Sequence, residues 1–181
     1  IKQIHFPDSI ETLIRARERL VFDEFFLFIM GMQYQKEQQV KAPNNFEFMN
    51  PEFIDDLISK LPFSLTDAQL RTIKEIRSDM CSDFAMQRLV QGDVGSGKTI
   101  IAFLLMAWCS LNGYQSAIMA PTEVLATQHY ETFTSLVRDF NLNYQVILLT
   151  GSMTAKQKRD AYEKMQLFPN AMIIGTHALI Q

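Results

Sequence analysis

The sequence predicts an α/β protein: a parallel sheet covered by helices on both faces, preceded by an N-terminal helical segment. Three observations carry that expectation. From Arg88 onward, short apolar runs alternate with longer segments of helical periodicity, which is the pattern of strands joined by crossover helices. The apolar runs are continuous, as in strands covered on both sides. Finally, Gly92-Asp93-Val94-Gly95-Ser96-Gly97-Lys98-Thr99 lies between the apolar pair Leu89-Val90 and the apolar segment 100–109, in the order strand, glycine-rich turn, helix.

The elements follow in chain order. Asp8 and Glu11 have the spacing of a capping box and open a helix. Leu13, Ile14, Leu20, Val21, Phe25, Phe28 and Met32 recur near helical spacing and carry it to about Gln38. Arg15, Arg17 and Arg19 alternate with Glu11, Glu18 and Glu24 as a solvated, ion-paired face. Residues 39–50 form a polar loop. Asn50-Pro51 starts a short helix that buries Phe53, Ile54, Leu57 and Ile58 and stops at Leu61-Pro62. Thr66-Asp67-Ala68-Gln69 starts the next helix, with Ile73, Ile76 and Met80 on one face. Strand Leu89-Val90 and helix 98–111 follow, stopped by Asn112-Gly113. Then come strand 117–120, helix 123–139, strand 145–149, helix 155–166 behind a Thr154–Gln157 capping box, and strand 172–174. Residues 1–60 are expected to be the helical segment and residues 61–181 the α/β domain.

Composition narrows the class. The chain has 181 residues, 48% hydrophobic and 20% charged, enough for one sizeable core with a small appendage. A net charge of −3 provides no global basic field, so any nucleic-acid contact has to be local, made by loops and helix ends. Cys81 and Cys109 form no C-x-x-C pair, and no disulfide framework or signal peptide is visible, so a reducing cytoplasm is expected. The apolar stretch 20–32 contains Asp23 and Glu24 and is too short and too charged to span a membrane. His5, His129 and His177 lie far apart, without metal-ligand spacing. The first residue is Ile1, and Ile180-Gln181 end the chain just after an apolar run, so a segment of a larger protein is expected.

Gly92 to Thr99 fits the phosphate-binding loop G-x-x-x-x-G-K-[ST]. Gly95 and Gly97 can take positive φ, which turns successive backbone N–H groups inward as an anion nest. The helix that follows adds its positive dipole end. Lys98 supplies a mobile charge for β and γ phosphates, and Thr99 a hydroxyl for Mg²⁺. These features imply ATP or a related nucleotide with Mg²⁺. In an open parallel sheet, ligands gather beyond the carboxyl ends of the strands. Three more such ends carry small polar residues: Ala120-Pro121-Thr122-Glu123, Thr150-Gly151-Ser152 and Gly175-Thr176-His177. Hydroxyls, N–H groups and helix N-termini there can bind a phosphate backbone, although Thr122 also suits a helix cap and Thr150-Gly151 a turn. Gln69 has two readings, the last residue of a capping box or an amide offered to an adenine edge. Phe63 could plug the core or stack on a base, and His177 could be a strand-end contact or a satisfied loop residue.

The ordered set resembles a known family. Leu65-Thr66-Asp67-Ala68-Gln69 resembles the adenine-recognising Q motif of superfamily 2 helicases, and Gly92–Thr99 resembles their motif I. Ala120-Pro121-Thr122-Glu123-Val124-Leu125-Ala126, with Gln128-His129, is similar to motif Ia. Thr150-Gly151-Ser152 and Gly175-Thr176-His177-Ala178-Leu179 resemble later DNA-contacting motifs. Within that superfamily, Gln91–Thr99 and Met119–Glu123 resemble the RecG family of ATP-dependent helicases that remodel branched DNA. The sister transcription–repair coupling factors usually carry a bulky aromatic at the position of Ser96. Ala16–Glu24 resembles the RecG helix that joins a DNA-reading wedge domain to the motor. The resemblance implies a RecA-like P-loop NTPase domain, the first of two motor domains. It implies an adenine contact at Gln69, with Phe63 stacking, and nucleotide contacts from Gly92, Asp93, Val94, Gly95, Ser96, Gly97, Lys98 and Thr99. It also implies DNA contacts from Pro121, Thr122, Thr150, Gly151, Thr176 and His177.

The family's motif II, an acidic pair that follows the Gly-Thr-His element, has no counterpart in these residues. Asp23-Glu24 and Asp55-Asp56 fall on predicted helices outside the α/β core. The expected partners are DNA and the wedge and second motor domains of the same parent protein. The segment alone is expected to bind ATP with little hydrolysis. Two other readings stay open, a transcription–repair coupling motor and a nucleotide-binding regulatory module.

Overall fold

A computed structural model describes residues 2–38 and 42–180. It divides into two compact units, Ile1–Ala42 and Pro43–Gln181. The first contains helices α1, Lys2–His5, and α2, Ile10–Gln38. The cap of α2 is Ser9 rather than Asp8. The Ser9 hydroxyl accepts from the Thr12 N–H at 3.2 Å, and the Thr12 hydroxyl accepts from the Ser9 N–H at 3.1 Å. Asp8 instead pairs with the Gln3 amide. Arg15 pairs with Glu11 at 2.9 Å and Arg19 with Asp23 at 3.1 Å, both exposed pairs of the expected i,i+4 type. Phe25, Phe28 and Met32, three of the apolar residues at helical spacing, are all more than half exposed.

The second unit begins with a strap. Asn44 donates to the carbonyls of Met80 and Ser82 at 2.7 and 2.9 Å. The Met49 carbonyl accepts from the buried Trp108 indole at 2.8 Å. Helix α3, Glu52–Ser59, buries Ile54 and Leu57, and α4, Asp67–Met80, buries Ile73 and Ile76. These residues share one core with α5, Lys98–Leu111, so residues 43–60 lie with the α/β unit and the expected 60/61 boundary falls inside it.

The rest alternates strand and helix: β1 Ser116–Met119, α6 Glu123–Asp139, β2 Val146–Leu149, α7 Ala155–Leu167 and β3 Met172–Gly175, with a 3₁₀ turn at His177–Leu179. The sheet is parallel, in the order β1-β3-β2. Because successive side chains in a strand point to opposite faces, β3 sends Met172 and Ile174 into the core built by α5 and α6. On the opposite face, Ile147 and Leu149 of β2 meet Ala161 of α7. Helices therefore cover both faces, as the continuous apolar runs implied, and every residue of β3 is buried.

One predicted element is missing among the described residues. Residues 85–91 have no ladder partner, and Leu89 is 89% exposed. An apolar pair is not a strand until its backbone groups find a neighbour.

Phe103, on α5, is fully buried against Phe133 and Phe140, at ring separations of 5.2 and 5.9 Å. Phe103→Ala should cost about 3–5 kcal/mol of folding stability. Urea denaturation tests this, and an unchanged midpoint would contradict the packing.

Candidate functional site

The phosphate-loop residues stand at the N-terminus of α5, whose apolar length anchors the loop to the core. Gly95 and Gly97 have φ of 82° and 78°, the left-handed region that glycine alone enters freely. A second reason fixes Gly97, since a Cβ there would overlap the Gln69 amide. The Lys98 ammonium turns back into its own loop, donating to the Gly92 and Asp93 carbonyls at 2.6 Å each and to the Ser96 hydroxyl at 3.3 Å. It thus sits at the centre of the curve that the loop describes, where a bound anion would meet it.

Gln69 forms the predicted capping box of α4. Its Oε1 accepts from the Thr66 N–H at 2.8 Å, and its own N–H donates to the Thr66 hydroxyl at 3.3 Å. Its third bond, in which Nε2 donates to the Ser96 carbonyl at 2.9 Å, is not foreshadowed by the capping pattern. One amide thereby joins the start of α4 to the phosphate loop. A cavity of about 570 Å³ opens beside it, lined by Phe63, Thr66, Gln69, Gly95, Gly97 and Thr99 among others. Phe63 is 52% exposed and stands at this cavity, not in the core. The predicted nucleotide-contact residues Phe63, Gln69, Gly95, Ser96, Gly97 and Thr99 therefore line one concave surface. Gly92, Asp93 and Val94 form the solvent-exposed start of the loop.

The other predicted site residues collect at the carboxyl ends of the three strands. Parallel register aligns Met119, Gly175 and Leu149 side by side. The Gly175 carbonyl accepts from the Ala120 N–H at 2.7 Å, and the Thr176 N–H donates to the Leu149 carbonyl at 3.2 Å. Pro121, Thr122, Gly151 and His177 are exposed there, and Thr176 is half-buried. Thr122 also caps α6, its hydroxyl accepting from the Leu125 N–H at 3.3 Å. Thr150 departs from expectation. It is only 4% exposed, its N–H donates to the Met153 sulfur at 3.2 Å, and its hydroxyl pairs with Ser152 at 3.4 Å. Its side chain shapes the turn from within instead of facing outward.

Sequence reasoning missed Glu123. Its carboxylate accepts from the Ser152 N–H at 2.8 Å and the Ser152 hydroxyl at 2.5 Å. These bonds, the hydroxyl first, hold the carboxyl below the usual glutamate range, with Gly151 and Lys158 adding to the effect. The sign follows: the contact persists above the ordinary carboxylate range and is lost as pH falls through the depressed value. No group of three or more His, Cys, Asp or Glu among the described residues is arranged to hold a metal ion. No helix among them is long and apolar enough to cross a membrane.

With the loop, the cavity and the strand ends in place, comparison with known proteins is decisive. The DEAD/DEAH box helicase model matches residues 66–181. The chain belongs to the DEAD/DEAH box helicases. Along its whole length it is similar to the ATP-dependent DNA helicase RecG of Aquifex aeolicus, at 42% identity over 100% of this chain and 23% of that protein. RecG of Synechocystis is similar at 45% identity over 100% of this chain and 22% of that protein. Among solved structures, RecG bound to a three-way DNA junction matches with a TM-score of 0.78 and 39% identity, over 99% of this chain and 24% of that one. A hypothetical ATP-dependent RNA helicase from Sulfolobus tokodaii shares the fold, with a TM-score of 0.53 and 22% identity over 73% of this chain and 35% of that one. The chain spans about a quarter of the length of the curated RecG relatives it matches. The RecA-like fold and the kinship with RecG-type helicases are thus shown for this chain.

The two roles of Gln69 can be separated. Gln69→Glu keeps an acceptor for the capping box, since glutamate serves that position as well, but loses the donor to Ser96. Folding stability should stay within about 1 kcal/mol of wild type, while amide hydrogen exchange at residues 95–97 quickens. Unchanged exchange there would contradict the tether.

Proposed function

We propose that this segment is the ATP-binding half of the motor of a helicase that remodels branched DNA, such as stalled forks and Holliday junctions. The observation that carries the reading is the convergence of Phe63, Gln69 and the phosphate loop on one cavity, with a row of polar strand ends in the same compact unit. Lys98 and Thr99 are the residues assigned to catalysis. Lys98 is to leave its own carbonyls for the β and γ phosphates of ATP, and the loop N–H groups, turned by Gly95 and Gly97, are to receive phosphate oxygens. This donor set suits an anion, since backbone N–H groups, an ammonium and a helix N-terminus all point one way. Thr99 would hold Mg²⁺ through its hydroxyl, where the ion would neutralise phosphate charge. Gln69 would offer its amide to the adenine edge and Phe63 its ring face. Pro121, Thr122, Gly151, Thr176 and His177 would contact the DNA backbone, with Thr150 supporting the turn from beneath.

The partners in this reading are DNA, the wedge domain and the second motor domain of the same protein. The RecG structure on a three-way junction supports a branched substrate by analogy. The free thiols of Cys81 and of Cys109, whose pKa burial pushes up to about 11, suit a reducing cytoplasm. Residues 1–42 would act as the linking helix and residues 43–181 as the motor unit. Within the unit that carries the loop, Asp55 bonds Arg77 at 3.0 Å and does not line the cavity beside the phosphate loop. The isolated segment should therefore bind ATP with negligible turnover.

Titration of the 181-residue chain with a fluorescent ATP analogue tests the nucleotide half of this reading. Lys98→Ala should weaken binding by about 10- to 100-fold, the equivalent of a charge-assisted hydrogen bond or two. No binding by wild type at millimolar nucleotide, or equal binding by the variant, would contradict it.

A further inference from the structure

We propose that Glu123 is a positioning residue for DNA binding, tying the loop after β1 to the loop after β2 across the end of the strand between them. This rests on the DNA reading above and deepens it. β1 and β2 are not neighbours, because β3 separates them. Adjacent strands lie about 4.8 Å apart, so the two loops leave the sheet about 10 Å from one another. Glu123, the first residue of α6, closes that gap with both carboxylate oxygens, one on the Ser152 N–H at 2.8 Å and one on the Ser152 hydroxyl at 2.5 Å. The link continues inward, since the Ser152 hydroxyl also lies 3.4 Å from that of buried Thr150. Gly151, between them, would bring a Cβ to 3.4 Å from the same carboxylate, an ordinary van der Waals contact. An acidic residue at the start of a helix is favourable without any such partner. That alone does not account for a two-oxygen grip on a turn 29 positions away.

Charge and position make opposite predictions here, which makes the inference testable. A carboxylate beside a phosphate track repels it, so on charge alone removal should tighten DNA binding. If Glu123 instead holds the Gly151-Ser152 turn in register with Thr122, removal should weaken binding despite the lost negative charge.

The experiment uses the full-length protein, a fluorescein-labelled single-stranded oligonucleotide read by anisotropy, and a fluorescent ATP analogue as control. Glu123→Ala should weaken DNA binding by about tenfold, with Glu123→Gln, which keeps an acceptor for the Ser152 N–H, falling between it and wild type. ATP affinity should stay within about twofold in both variants, because neither touches the phosphate loop. Combining Glu123→Ala with Ser152→Ala should add little to the first change, since both break one contact. DNA binding that is unchanged or tighter in both Glu123 variants would overturn the inference and leave the DNA reading standing. Parallel loss of ATP affinity and thermal stability would also overturn it, as a merely structural role. Wild-type protein that fails to bind the oligonucleotide would overturn the DNA reading and the inference together.

Discussion

The close approach of three strand ends at Gly175 is the constraint on which the strand-end surface depends. This residue closes the middle strand, and its carbonyl takes the Ala120 N–H while the next N–H goes to Leu149. A Cβ at Gly175 would overlap the Leu149 carbonyl and press on Leu179. Glycine therefore lets the ladder run to its last rung, and three loops leave the sheet from one line. Parallel pairing does the rest, because it puts every carboxyl end on the same edge. A spread of polar loops becomes one surface without any net positive charge.

The nucleotide side is organised by a different economy of groups. The Gln69 amide caps α4 with its oxygen and holds Ser96 with its nitrogen. A residue placed by helix-capping rules is also the strut of the phosphate loop. Residue 97 must be glycine both for its left-handed φ and for the nearness of that amide. Lys98 is exposed, and its charge rests on carbonyls of its own loop. These are weaker acceptors than phosphate oxygens, so in the proposed reading the ammonium would exchange them for a triphosphate.

Much of this was legible in the sequence, and the reasons are local. The ends of α5 and α6 follow from Gly97, Asn112 and the Thr122 cap, and both threonine–glutamine capping boxes form as their spacing required. What sequence could not supply was tertiary pairing. Leu89-Val90 has the composition of a strand and no ladder partner. Asp8 has the chemistry of a cap but engages Gln3, so Ser9 caps instead. Thr150 reads as a surface hydroxyl and is buried by the Met153 turn. Glu123 stands in the sequence only as part of the Ala120–Glu123 strand end, because its partner lies a strand and a helix away in the chain. The cavity beside Gln69 needed the fold to bring Phe63 against Gly97.

Both halves of this arrangement belong to one compact unit with one core, and the central claim is that they serve one motor. The most direct measurement is the ATPase rate of the full-length protein with and without a branched DNA. The account predicts stimulation by the DNA, abolished by Lys98→Ala. ATP hydrolysis indifferent to DNA, or persisting in that variant, would contradict it.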